Sequence, residues 1–222
     1  MIATLLESLD PLVVELIEAL FETLYMVFFS TLFSLILGFG ITIALITTAP
    51  HGLRPNPRVY AALDVSVNLL RSFPFMILMI ALIPFTRLVA GVAIGSTAAI
   101  VPLTIAAAPF VGRILEGSLL EVDRGVVEAA RACGAGDTQI IFRVMLKEAM
   151  PSIILNIAIL AITLLGYSAM AGAIGGGGLG ALAYNYGYLR FRTDVMLYSV
   201  GILILLVHLI QTGGNFLYNR LR

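Results

Sequence analysis

The stretch AMPSIILNIAILAITLLGYSAMAGAIGGGGLGALAYNYGYL, residues 149–189, runs for 41 residues without one Asp, Glu, Lys or Arg. A charge at the centre of a bilayer costs about 2.5–3.5 kcal/mol even on the lenient insertion scale, so charge-free runs mark where a chain can cross. A spanning helix needs about 20 residues, and length alone leaves room here for two. The interior, Gly175-Gly176-Gly177-Gly178-Leu179-Gly180, disfavours helix, and only nine residues follow it before Arg190. One span followed by a glycine-rich turn is the reading that fits.

Four further uncharged stretches have the same character: Thr23–Leu53, Ser72–Thr86 (extended back to Val65 across Arg71), Leu88–Gly112 and Val195–Asn219. The approximate spans are 22–49, 63–86, 91–115, 149–173 and 195–218. Between them lie a cytoplasmic loop, 116–148, and an external glycine-rich segment, 174–193. The expectation is an all-α integral membrane protein, one transmembrane domain over 1–222 with five helices, the third kinked at Pro102 and Pro109. Composition agrees, with 60% apolar residues, 12% charged and a mean hydropathy of +1.04. A soluble domain has about 45–50% and about 25%, so this chain could not cover the surface of a soluble enzyme. Thirteen basic against thirteen acidic residues give no sign of a nucleic-acid surface. The single cysteine, Cys133, excludes an intrachain disulfide and a cysteine-rich metal site.

Basic residues set the orientation. Arg54, Arg58, Arg71, Arg113, Arg124, Arg131, Arg143, Lys147, Arg220 and Arg222 fall on one side, against Arg87, Arg190 and Arg192 on the other. The N-terminus is then outside and the C-terminus inside. The first 22 residues carry Glu7, Asp10, Glu15, Glu18 and Glu22 but no Lys or Arg, unlike a secretory signal. After Pro11 the glutamates share a helical face opposite Val13, Leu16, Ile17 and Leu20. That is either an amphipathic helix lying on the outer surface or the ordered end of the first span.

Charge is concentrated in one place. Eleven charged residues lie between Arg113 and Glu148, and sinking them all in the bilayer would cost roughly 30 kcal/mol. Asp123 can cap a first helix that Gly134 ends, and Asp137 can cap a second ending near Pro151. Val126, Val127, Ala130 and Cys133 make an apolar stripe on the first helix; Arg124, Glu128 and Arg131 make a charged one. The residues alone allow a solvated connector or a docking surface.

Glu128-Ala129-Ala130, then Gly134, then Val144-Met145-Leu146 resemble the EAA loop of permeases in binding-protein-dependent type I ABC importers. One departure is that Lys147 stands where those permeases carry a proline, Pro151 following later. Arg71-Ser72-Phe73-Pro74-Phe75, Ile83-Pro84-Phe85-Thr86-Arg87, Ala98-Ala99-Ile100-Val101-Pro102-Leu103-Thr104 and Ala107-Ala108-Pro109-Phe110 are similar to the methionine-uptake branch. So are Gly166-Tyr167-Ser168-Ala169-Met170, Gly178-Leu179-Gly180 and Tyr184-x-Tyr186-Gly187-Tyr188, which extends the resemblance over roughly residues 20 to 218.

The resemblance implies the type I importer permease fold in the bacterial inner membrane, as a homodimer. Each chain would bind a cytoplasmic ATPase subunit, and an external methionine-binding lipoprotein would deliver methionine. It implies ATPase coupling through Glu128, Ala129, Ala130, Arg131, Gly134, Val144 and Leu146. ATP-Mg would sit on the partner, with no cofactor, metal or catalytic residue in this chain, which has no G-x-x-x-x-G-K-[ST] sequence. Gly175-x-Gly177-x-x-Gly180 formally matches a dinucleotide fingerprint, but it follows a membrane helix rather than a strand. Tyr167, Ser168 and Met170 are the candidates for the translocation pathway or gate, offering hydroxyls and a soft thioether, with simple helix packing the alternative. Rival readings are a permease for another amino acid, an osmolyte or a phosphonate, or a self-sufficient secondary transporter. The last would need membrane-embedded carboxylates, and the fourth and fifth spans have none. His208 and Cys133 read as packing residues, His51 as a solvated loop residue, and Asn68 and Asn156 as hydrogen bonders between helices.

Overall fold

The computed structural model describes residues 11–221. In chain order the elements are α1 (Pro11–Thr48), α2 (Pro57–Ser72), α3 (Phe75–Ala81), α4 (Ile83–Ala90), α5 (Ser96–Leu120) and α6 (Arg124–Ala132). They continue with α7 (residues 137–148), α8 (Met150–Ala171), α9 (residues 178–188) and α10 (Thr193–Leu221). No strand occurs among the described residues. Four helices, α1, α5, α8 and α10, are long and apolar enough to cross a membrane, and α2 with α3 as one broken span would make a fifth. Leu197, Ile204, Leu209 and Phe216 of α10 are all more than half exposed, as a face turned to lipid requires.

One open alternative is decided and two expectations are changed, each for a local cause. Glu15, Glu18 and Glu22 belong to α1 itself, one uninterrupted 38-residue helix, so from Pro11 onward no separate surface helix precedes the span. Glu7 and Asp10 lie outside the described residues. The expected span 63–86 is divided among α2, α3 and α4. Pro74 has no N–H and pushes Phe73 out of the helical region (φ −71°, ψ 128°), and Pro84 sits in the first turn of α4. By contrast α5 continues through Pro102 and Pro109 and reaches Leu120, inside the segment expected to be loop.

The chain forms two compact units. One comprises residues up to 31, 74–104 and 161–209. Its organising feature is the glycine turn after α8. Gly177 and Gly178 both take positive φ (79° and 73°), which turns the chain sharply into α9. The N–H groups freed at the start of α9 are satisfied by α1: Gly178 N–H donates to Glu22 Oε2 at 2.6 Å and Leu179 N–H to Thr23 Oγ1 at 2.9 Å. Tyr186 of α9 donates to Glu15 Oε1 at 3.2 Å. The acidic face of α1 thus holds the segment that follows the turn.

The other unit comprises 32–73, 105–160 and 210–222. Here α1 and α5 pack at backbone distance. A Cβ on Gly38 would lie 2.4 Å from Val111 Cβ, and one on Gly112 2.6 Å from Ile41 Cγ2. Thr42 Oγ1 donates to both Gly38 O and Gly112 O, at 2.8 and 3.2 Å. Small residues permit this approach, which drives helix association where lipid removes any hydrophobic gain. Asn156 of α8 bonds across to Ser118 Oγ of α5 at 2.7 Å, whereas Asn68 stays on its own helix with Asp64.

Gly38→Ala should lower stability by about 1–3 kcal/mol through overpacking, read as a lower thermal midpoint of the detergent-solubilised protein. Gly40→Ala, where a Cβ would meet nothing within 4 Å, should leave that midpoint unchanged.

Candidate functional site

The charged segment folds as α6 and α7 joined at a glycine corner. Asp123 caps α6, its Oδ1 accepting from Gly125 N–H at 2.6 Å. Gly134 closes the helix in the left-handed region (φ 83°). Its N–H donates to Arg131 O at 2.9 Å while Ala135 N–H donates to Ala130 O at 3.1 Å, the paired bonds of a Schellman ending. Any side chain at 134 would carry left-handed strain. The second helix is capped by Gly136 rather than by Asp137, and Gln139 Oε1 accepts from Gly136 N–H at 3.2 Å. Within α7 a wide turn over Ile140–Met145 buries Ile140, Ile141 and Met145, leaving Val144 and Leu146 half-buried.

None of the α6 residues is buried. Its charged side is turned back on the chain: Arg124, Val127, Glu128 and Arg131 line a cavity of about 470 Å³ with His51, Gly52, Leu53, Tyr60 and Met145. Val126, Ala129, Ala132 and Cys133 stand exposed. Of the apolar residues, Val127 and Ala130 are half-buried, whereas these four have no cover within the protomer, although Arg124, Glu128 and Arg131 stay exposed as well.

Arg131 is tied to its own chain. Its Nη2 donates to Leu53 O at 3.2 Å and lies 3.6 Å from Asp137 Oδ1, and Arg54 Nε reaches Asp137 Oδ2 at 2.6 Å. The loop between α1 and α2 therefore braces the corner between α6 and α7. Sequence spacing does not reveal this, since Leu53 and Arg131 are 78 residues apart.

A second ionic group escaped the sequence reading. Arg113 forks between two carboxylates, Nη1 to Glu116 Oε2 at 2.8 Å and Nη2 to Asp64 Oδ1, while Tyr60 OH donates to Glu116 Oε1 at 3.0 Å. Glu116 is only 2% exposed, so these bonds replace its hydration. The i,i+3 spacing of Arg113 and Glu116 was a visible signal; the link to Asp64, 49 residues earlier, was not.

The pathway candidates separate. Tyr167 is half-buried and stacked on Phe75, ring centroids 4.6 Å apart. Ser168 is 1% exposed and donates to Leu165 O at 2.8 Å, so its hydroxyl is used inside its own helix. Met170 is 46% exposed.

Residues 36–222 match the family of binding-protein-dependent transport system inner membrane components. The chain belongs to that family. It is accordingly a permease subunit of an importer, in the inner membrane, working with a separate ATPase. A relative from Vibrio cholerae, a probable D-methionine transport system permease protein MetI, is 48% identical over 205 residues, 92% of this chain and 91% of its own. The D-methionine transport system permease protein MetI of Escherichia coli is 44% identical over 163 residues, 73% and 75% of the two chains. A solved structure of inward-facing conformations of the MetNI methionine ABC transporter superimposes with a TM-score of 0.94 at 42% identity, over 96% of this chain and 99% of that one. An amino acid ABC transporter solved with histidines shares the fold at a TM-score of 0.75 and 20% identity, covering 92% and 93%.

Breaking a buried ion pair costs about 3–5 kcal/mol when the stranded charge stays buried. Arg113 is about a quarter exposed, so Arg113→Gln should cost near the lower end of that range, measured by chemical unfolding in micelles. Adding Glu116→Gln should recover part of the loss, because the stranded charge is gone.

Proposed function

We propose that this chain is the membrane-spanning half of an ATP-driven methionine importer, acting as a homodimer with two cytoplasmic ATPase subunits and an external methionine-binding lipoprotein. The observation that carries the coupling role is the uncovered apolar edge of α6. Its exposed Val126, Ala129 and Cys133 form a small apolar knob, and the Arg54–Asp137–Arg131 brace ties the α6–α7 corner to the loop between α1 and α2. A cleft on the ATPase supplies the cover that the protomer lacks. ATP-driven closure of the ATPase pair would then move α6 and the helices attached to it as a body, and hydrolysis would reset them. The chain contributes no ATP site, so ATP-Mg is held by the partner, and the C-terminus lies on the ATPase side.

Within the coupling set the roles differ. Ala129 and Ala130 permit close approach, and Gly134 sets the corner. Glu128 and Arg131 shape the charged inner side of α6, while Val144 and Leu146 anchor α7. Methionine as cargo is supported by the names of the relatives and of the superimposed transporter, which agree with each other over nearly the full chain. Of the three pathway candidates, Met170 is the one available to another chain or to a solute, and it serves as the outer gate near the homodimer axis.

Co-expression of the permease with its ATPase and binding protein tests the whole reading. The expected result is a 2:2 membrane complex that takes up methionine only when the binding protein is present; uptake by the permease alone would overturn it. Glu128→Lys and Gly134→Trp should each abolish ATP-driven uptake while the permease still inserts into the membrane. Met170→Ala should alter the uptake rate or the basal ATPase rate, and identical values for both would remove Met170 from the gate.

A further inference from the structure

Beneath the glycine turn, within the unit that contains α3, α4 and the start of α5, lies a cavity of about 160 Å³. Its walls are apolar: Met79 and Ile83 on one side, Ile94, Ala98 and Pro102 on another, and Ile174 on the turn. No charged residue lines it. An engineered apolar cavity of about 150 Å³ stays dry and admits benzene, so this space accommodates a side chain of four or five heavy atoms.

One polar group breaks the apolar lining. Thr86 is 3% exposed, and its Oγ1 has no hydrogen-bond partner. The helical hydroxyls of Thr23, Thr42, Thr48 and Ser66 donate to the carbonyl four residues back, whereas Thr86, like Ser30, Thr31 and Ser199, makes no such bond. A buried hydroxyl left unpaired costs about 1–3 kcal/mol, a cost removed when a ligand or water in the cavity accepts from it. Pro102, which has no N–H, also denies Ala98 O its usual helical donor on the same wall. The turn closes over this space through one backbone bond, Gly95 N–H to Gly175 O at 2.9 Å.

We propose that this cavity receives the uncharged side chain of the transported solute, a thioether or an aliphatic chain of similar length. The charged ammonium and carboxylate remain outside the apolar walls. Thr86 Oγ1 donates to the sulfur, a weak acceptor, and the neighbouring apolar surfaces supply most of the attraction. Selection at this point is by side-chain volume. The proposal rests on the methionine-import reading and adds to it a place in the permease where the side chain is read.

The test uses the assembled complex in proteoliposomes with its binding protein, methionine as the probe, and assembly of every variant checked by co-purification of the ATPase. Ala98→Leu fills the cavity and should lower uptake at subsaturating methionine by at least about tenfold, the scale of discrimination that a closely fitted apolar pocket gives. Thr86→Val keeps the shape and removes the donor; it should raise KM about threefold, as a weak neutral hydrogen bond is worth. Thr86→Val also keeps the test alive if Ala98→Leu fails to assemble. Wild-type complex that does not take up methionine would refute the import reading itself. Wild-type uptake matched by Ala98→Leu would overturn the cavity assignment and leave that reading standing. A Thr86→Val complex of altered stability but unchanged KM would make the space a structural water site and overturn the assignment equally.

Discussion

A peptide N–H or C=O left unpaired in hydrocarbon costs several kcal/mol, and this one constraint governs where the chain is allowed to stop being helical. The long helices satisfy their own backbone and need no help. Each break has to find partners, and the chain supplies them from a distance. At the glycine turn the first two N–H groups of α9 are met by Glu22 and Thr23, side chains 156 residues earlier in sequence. Closeness is what makes the arrangement possible. A Cβ on Gly177 would sit 2.6 Å from Glu22 Oε2 and would push that carboxylate aside, and its positive φ favours glycine independently.

The same reasoning explains the acidic start of α1. Its glutamates look like a solvated face when only the 3.6-residue period is considered. In the structure Glu15 and Glu22 accept hydrogen bonds from a segment nearly the whole chain away. Ionised carboxylates make stronger acceptors than neutral groups, which suits them to hold backbone amides that have lost their helical carbonyls. The feature that reads as amphipathicity is therefore a capping device for another element.

What could be read in advance divides along that line. Composition and the charge-free runs were enough to place the long apolar helices, because one cost, that of charge in lipid, dominates each decision. Local rules were equally reliable for α6: the Asp123 cap and the Gly134 ending depend on neighbours within five residues. The rest depended on pairings that no period encodes. Arg113 looked like a loop flank because Asp64 is 49 residues away, and Arg131 looked like a free docking cation because Leu53 is 78 residues away. Ser168 reads equally well as a pathway residue or as helix packing, and the bond of its hydroxyl to Leu165 O is not visible in sequence. The broken second span is an intermediate case. Pro74 and Pro84 were in plain view, but a break in lipid is tolerable only if its freed groups are covered, and coverage is a tertiary fact.

Taken together, the two ionic groups differ in how firmly they hold their elements. The outer group, Arg54, Asp137 and Arg131, fixes the orientation of α6 against the first loop; all three side chains keep some exposure, so the brace can adjust at modest cost. The inner group, Tyr60, Asp64, Arg113 and Glu116, joins α2 to α5 around a carboxylate that is almost wholly buried, and parting those helices would strand it. Tyr60 belongs to the inner group and also lines the cavity behind α6, as Glu128 does. A displacement of α6 thus meets a soft contact first and a stiff one behind it. The brace at α6 is the softer of the two, and the group around Glu116 is the one that keeps α2 and α5 together as a pair.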